Sequence, residues 1–257
     1  MPAESPGADF TEDSALGGRL RLKQPRRGHR FGHDAVLLAA STGAAAGERV
    51  VELGSGVGLA GLALAARVPG VRLTLVEADA MLAQLALANA EANGVAGVNV
   101  VTLDVTAPAR AFVAAGLPPG SAQRVLMNPP FNDPGRQRRS PDAARAAAHM
   151  AAPETLTAWT KAAARLLAPG GTLTLIWRAD GLADVLTALA RAFGGITILP
   201  VHPRIGAPAI RILVRVTKDS RAPLSLLPGL ALADADGRPT AEAEAILRHG
   251  AVTALAG

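Results

Sequence analysis

The stretch ERVVELGSGVGLAGLALAARVPGVRLTLVEA, residues 48–78, decides how this chain folds. ERVVEL (48–53) is a short apolar run of strand length. GLAGLALAARV (58–68) carries apolar residues at helical spacing, and VRLTLVEA (71–78) is a second strand. Between the first strand and the helix stand Gly54, Ser55, Gly56, Val57 and Gly58. Glycines there let the backbone turn tightly and approach a ligand. The helix N-terminus behind them offers unpaired N–H groups. Glu77 ends the second strand, where a carboxylate can accept both hydroxyls of a ribose. Gly56-Val57-Gly58-Leu59-Ala60-Gly61 also satisfies the G-x-G-x-x-G pattern of dinucleotide folds. Glu52, just before the turn, argues against that ligand. A carboxylate there would repel a pyrophosphate and attract the ammonium at the amino-acid end of S-adenosyl-L-methionine.

Strand and helix patterns continue to alternate downstream. ADAMLAQLALANAEANG (78–94) reads as a helix closed by Gly94, VNVVTLDV (98–105) as a strand, and ARAFVAAG (109–116) as a helix. AQRVLMN (122–128) is a strand, and PETLTAWTKAAARLLAPGG (153–171) a helix whose end is marked by Pro169-Gly170-Gly171. TLTLIWR (172–178), ITILPVH (196–202) and AIRILVRVTK (209–218) are strands, with the helix LADVLTALARAFGG (182–195) between the first two. Such alternation predicts an α/β, Rossmann-like fold of seven strands, mostly parallel, with helices on both faces. HPRIGAP (202–208) is too short for a helical crossover, so the last strand is expected to be antiparallel. Residues 1–18, with their acids, prolines and glycines, read as a disordered leader. Residues 19–250 read as a single domain: a basic arm and helix (19–47), a core (48–218) and an appendage (219–250) ending in a helix begun by Thr240.

The fourth strand runs into Asn128-Pro129-Pro130-Phe131. Two prolines make a rigid extended corner, because each lacks an N–H and has φ fixed near −65°. In open α/β sheets, ligands bind outside the carboxyl ends of the strands, at the point where the strand order reverses. The corner is therefore expected to face the cofactor's methyl group. An exocyclic or amide nitrogen is a poor nucleophile, since its lone pair is delocalised. The Asn128 side-chain oxygen and the Pro129 carbonyl can hold its two N–H groups and aim the lone pair at the methyl. Pro130 stiffens the corner. Phe131 offers a face for a planar base or amide, and in a chain without tyrosine it alone supplies that face.

The chain has 257 residues and no cysteine, which excludes disulfides, thiolate metal sites and thiol nucleophiles. With no secretion signal, a cytoplasmic location is the default. Its apolar windows are broken by charges and Pro-Gly, so no membrane span is expected. The five histidines show no metal-ligand spacing. His149 reads as a solvated loop residue, and Trp159 and Trp177 as core. The net charge is +5, divided between −4 in residues 1–18 and +9 in the remainder. One basic cluster includes Arg26, Arg27 and Arg30; another, just past the corner, includes Arg136, Arg138 and Arg139. Both suit a polyanionic substrate such as RNA.

With the ELGSGVG turn and the MNPPF corner in place, the sequence resembles the S-adenosylmethionine-dependent aminomethyltransferases. QPRRGHRFGHDAVLLAA (24–40) and the tail from RILVRVTKDSRAPLSLLPGL onward narrow the resemblance to the bacterial family of tRNA (adenine-N6)-methyltransferases that modify valine tRNA. The resemblance implies a cofactor site built from His33, Asp34, Glu52, Leu53, Gly54, Ser55, Gly56, Gly58, Glu77, Ala78, Asp104, Val105 and Asn128. It implies catalysis at Asn128, Pro129, Pro130 and Phe131, no metal, and tRNA as the partner. Three other readings stay open: glutamine N5-methylation of a release factor, guanine N2-methylation of ribosomal RNA, and a non-catalytic RNA-binding protein on the same fold.

Overall fold

The computed structural model describes residues 10–26, 32–130 and 141–257, with backbone alone for 141–152. It begins with a hairpin, β1 (Phe10–Ala15) and β2 (Leu20–Pro25), followed by α1 (His33–Ser41). The core then runs β3 (Arg49–Leu53), α2 (Leu59–Arg67), β4 (Arg72–Glu77), α3 (Ala80–Ala92), β5 (Val98–Thr102), α4 (Ala109–Ala114) and β6 (Ala122–Met127). It continues with α5 (Pro141–Leu166), β7 (Leu167–Arg178), α6 (Leu182–Leu189), β8 (Phe193–His202) and β9 (Arg211–Lys218). Two short strands, β10 (Ser225–Leu226) and β11 (Leu230–Ala231), precede α7 (Ala241–His249).

The main sheet has the order β10-β8-β9-β7-β6-β3-β4-β5, with β11 also paired to β8. Its seven long strands are those expected from the sequence, and β10 and β11 are additions at one edge. Among the described strands of this sheet only β9 is antiparallel; it lies between β7 and β8. The chain moves outward from β3 through β4 to β5 and returns on the other side of β3 as β6. The reversal of strand order therefore falls between β3 and β6, where Leu53 pairs with Met127.

Strand alternation divides the core between two layers. Val50, Leu73 and Leu75 pack with α1, α2 and the hairpin. Val51, Leu53, Val76 and Val125 pack with α4, α5 and α6. Each fully buried leucine contributes about 1.5–3 kcal/mol. At the amino end of the sheet, Arg124 at the start of β6 grips Glu48 with two hydrogen bonds of 3.0 and 2.9 Å and donates a third to Thr172. Among the described residues no helix is long and apolar enough to cross a membrane.

Four expectations are corrected. The disordered leader expected over residues 1–18 is corrected from residue 10 onward, where Phe10–Ala15 form a strand paired with β2. The reason is burial: Ala15, Leu16, Leu20 and Leu22 enter the core, and Glu12 lies opposite Lys23. The helix expected from Pro153 begins at Pro141 and carries Pro153 inside it; the alanine-rich segment before that proline has high helix propensity. His149, expected in a loop, thus lies on helical backbone. Pro169-Gly170-Gly171, expected to end that helix, lies within β7, where the pairing with β6 shifts register between Ala122 and Arg124. Gly170 has φ +73° there, which a glycine adopts without strain.

Candidate active site

The turn after β3 needs three left-handed residues, Gly54 (φ +68°), Gly56 (φ +55°) and Gly58 (φ +90°). The N–H groups of Gly54 and Ser55 both donate to the Val76 carbonyl, at 2.8 and 3.0 Å, and so anchor the turn to the end of β4. A side chain on Gly54 would overlap the Trp159 ring of α5. Trp159, expected only in the core, is thus also the floor beneath the turn. The clue in the sequence was a lone aromatic on a helix of alanines and threonines.

Glu77 ends β4 half-buried, and its carboxylate arches over the turn. It accepts from the Gly56 N–H at 2.7 Å and the Asp79 N–H at 3.0 Å. A carboxylate has about four lone-pair sites, so it can accept two ribose hydroxyls as well. Ala78 is exposed beside it. Asp104, past the end of β5, is exposed, with one oxygen held by the Thr106 N–H and hydroxyl at 2.7 Å each. Its other oxygen can accept an amine. The Leu53 and Val105 side chains lie in the core, so these residues can face a ligand only through their backbone.

Glu52 departs from its expected electrostatics. Strand alternation turns it away from the rim toward α2, where it accepts from the Gly61 N–H at 2.7 Å. A methyl group on Gly61 would lie 2.6 Å from that oxygen, so the contact requires glycine. Burial pushes the Glu52 carboxyl up to about 8, against the lowering effect of the Gly61 bond and with some help from the Glu77 charge. At neutral pH Glu52 keeps its proton, and the negative charge expected before the turn is absent.

Asn128 follows Met127, and Gly54 follows Leu53, its partner on the neighbouring strand. Adjacent strands are about 4.8 Å apart, so the corner opens beside the turn. Among the described residues, the Asn128 side-chain oxygen is buried without a hydrogen-bond partner, as is the Ser55 hydroxyl. Such orphans cost about 1–3 kcal/mol each unless a ligand meets them. Pro129 is buried and Pro130 exposed. Phe131, Arg27, Arg30, Arg136, Arg138 and Arg139 lie outside the described residues. Arg26 is exposed just past β2.

His33 is exposed at the start of α1. Asp34 accepts from the Arg211 guanidinium at 3.0 Å. Arg211 begins the antiparallel strand β9, so this ion pair fixes the helix start at the carboxyl rim of the sheet. His33 and Asp34 thus share a rim with Asn128. Glycine backbone open to approach, a carboxylate for a ribose and two orphaned acceptors around one strand reversal fit S-adenosylmethionine. Among the described residues, no group of three or more His, Asp or Glu side chains could hold a metal ion.

Comparison with known proteins agrees with this geometry. The family model for the methyltransferase small domain matches residues 31–203. A tRNA1(Val) (adenine(37)-N6)-methyltransferase of Tolumonas auensis is 30% identical over 178 residues, 68% of this chain and 70% of that protein. A crystal structure from Agrobacterium tumefaciens, described as a predicted O-methyltransferase, superposes with a TM-score of 0.73. It is 31% identical, with 86% of this chain and 98% of that one covered. The Thermus thermophilus 16S rRNA N2 G1207 methyltransferase, in complex with AdoMet and guanosine, shares the fold alone, at 22% identity and a TM-score of 0.51 over 83% of this chain and 46% of that one. With the glycine turn, the Glu77 carboxylate and the open acceptor at Asn128 around one strand reversal, the chain belongs to the methyltransferase small domain family and is an S-adenosylmethionine-dependent methyltransferase.

Proposed function

We propose that this enzyme methylates N6 of an adenine in tRNA, in the cytoplasm. The observation that carries the reading is the buried side-chain oxygen of Asn128 at the rim, beside the glycine turn and without a partner among the described residues. An amide oxygen holds an N–H but takes no proton from a hydroxyl, so it suits an amine nucleophile better than an alcohol. S-adenosylmethionine supplies an electrophilic methyl group when bound. Asn128 and the Pro129 carbonyl orient the exocyclic amine and stabilise the positive charge that develops on nitrogen. Phe131 stacks against the adenine ring. Glu77 and Asp104 hold the ribose and adenine of the cofactor, the Gly54–Gly58 turn lies under its methionine end, and His33 and Asp34 close the site. Arg26, Arg27, Arg30, Arg136, Arg138 and Arg139 engage the RNA backbone. The tRNA relative and the basic clusters support RNA over a protein glutamine.

The test is methyl transfer from labelled S-adenosylmethionine to unmodified tRNA, ribosomal RNA and a release factor in parallel, with RNA digested to nucleosides and identified by mass. N6-methyladenosine from tRNA is the expected product. Label confined to the release factor, or a 2-methylguanosine product, would replace this reading.

A further inference from the structure

Asn89 lies on α3 and is 1% exposed. Its carboxamide has one acceptor oxygen and two N–H donors, and all are engaged. The oxygen accepts from the Lys23 N–H at 2.8 Å. The nitrogen donates to the Lys23 carbonyl at 3.1 Å and to the Val57 carbonyl at 3.0 Å. Asn93, one helical turn later, repeats the pattern on Arg21: it accepts from its N–H at 2.9 Å and donates to its carbonyl at 2.7 Å. The spacing is matched. Four helical residues rise about 6 Å, and two strand residues about 6.8 Å. Two side-chain amides of α3 therefore pair the edge of β2 that β1 leaves open, as a neighbouring strand would.

Among the described residues, the Asn93 side chain hydrogen-bonds only to β2 and its own helix. Asn89 differs because it also holds Val57, inside the cofactor turn, next to the Gly56 N–H that Glu77 accepts. One buried carboxamide thus joins the strand leading into Arg26, Arg27 and Arg30 to the loop that carries the cofactor. Displacing β2 leaves the Asn89 oxygen and one of its N–H donors buried and unpaired. Displacing the turn leaves the other N–H donor and the Val57 carbonyl unpaired.

We propose that Asn89 is a positioning residue that couples docking of the basic arm to ordering of the cofactor turn, so that each binding event strengthens the other. Linkage makes the coupling reciprocal, and couplings of this kind amount to about 5-fold or more in affinity. The RNA half of the proposal rests on the tRNA function inferred above; the link between β2 and the turn does not.

The experiment is amide hydrogen exchange at Arg21 and Lys23, with and without saturating S-adenosylhomocysteine, on the full chain and on Asn89→Asp and Asn93→Ala. Asn89→Asp keeps the shape and the acceptor but loses the donations to Val57 and Lys23. In the parent chain the cofactor product is expected to slow Lys23 exchange about 5-fold or more. Asn93→Ala is expected to keep that response with a faster basal rate at Arg21. Asn89→Asp is expected to lose it while still binding S-adenosylhomocysteine, and to raise KM for tRNA more than it lowers kcat. Unchanged Lys23 exchange in the parent overturns the proposal without need of a variant. So does an undiminished response in Asn89→Asp. If the parent does not methylate tRNA but the exchange pattern holds, the tRNA reading fails and the coupling stands.

Discussion

In the proposed mechanism one oxygen atom of Asn128 carries the chemistry. Its side-chain oxygen is buried and, among the described residues, unpaired at the strand end, so removing it should harm the reaction more than the fold. Asn128→Ala is expected to lower kcat by about 100-fold or more, the scale of losing one preorganised polar contact to developing charge. The cofactor dissociation constant should move far less. Single-turnover kinetics with calorimetry of S-adenosylmethionine binding would separate the two. Glu52 makes the opposite case, a polar group whose role is in stability. Its carboxyl is raised from 4.5 to about 8 by burial, so the folded chain holds a proton that the unfolded chain releases above 4.5. Stability therefore falls as pH rises from about 4.5 to 8. Glu52→Gln keeps an acceptor for Gly61 and cannot ionise. Its melting temperature should exceed the parent's at pH 8.5 and lose that slope, read by thermal melts from pH 5 to 9. An unchanged slope would place the titration elsewhere.

At the scale of elements, the turn after β3 is held between β4 and α5. Gly54→Ala would force a left-handed non-glycine residue, at about 1–2 kcal/mol, and push a methyl group into the Trp159 ring. We expect a lower melting temperature and about 10-fold weaker cofactor binding, the equivalent of 1.4 kcal/mol. Adding Trp159→Leu should recover part of the clash but none of the backbone strain, giving a double-mutant cycle with favourable coupling. At the other end of the sheet, the Arg124 guanidinium holds Glu48 below its ordinary value, outweighing the opposing effect of burial. That stabilisation is present above pH 4.5 and is lost as pH falls through the lowered folded value. Glu48→Gln should cost about 1–2 kcal/mol at pH 7 in urea unfolding, discounted for partial exposure, and progressively less under acid conditions.

For the whole molecule, charge is distributed rather than focused on one residue. The chain carries +9 outside its first 18 residues, and the proposed RNA contacts come from the arm after β2 and from the segment after the corner. Each phosphate neutralised contributes about 0.7–0.9 to the slope of log affinity against log salt. Replacing Arg136, Arg138 and Arg139 together with serine should reduce that slope for tRNA binding by about 2 to 3, with binding of free S-adenosylmethionine unaffected. A uniform loss with an unaltered slope, measured by filter binding from 50 to 200 mM salt, would remove these arginines from the RNA contact.

The sequence alone determined the alternation of strands and helices, the seven long strands, the antiparallel β9 and the two strand ends where the site forms. Those features are local: period-2 and helical spacing, glycines that accept positive φ, and prolines that stop a strand. The family resemblance followed from the same short motifs. The tertiary structure alone decided what depends on distant neighbours. The hairpin from Phe10 is ordered because Leu20 and Leu22 find a core supplied by helices far along the chain. Glu52 keeps its proton because α2 covers it, and no spacing in ELGSGVG reveals that cover. Asn89 and Lys23, 66 residues apart, meet only once α3 has packed beside β2. A side chain's charge, partner and solvent are set by what folds over it, whereas its backbone preference is set by itself and its nearest neighbours.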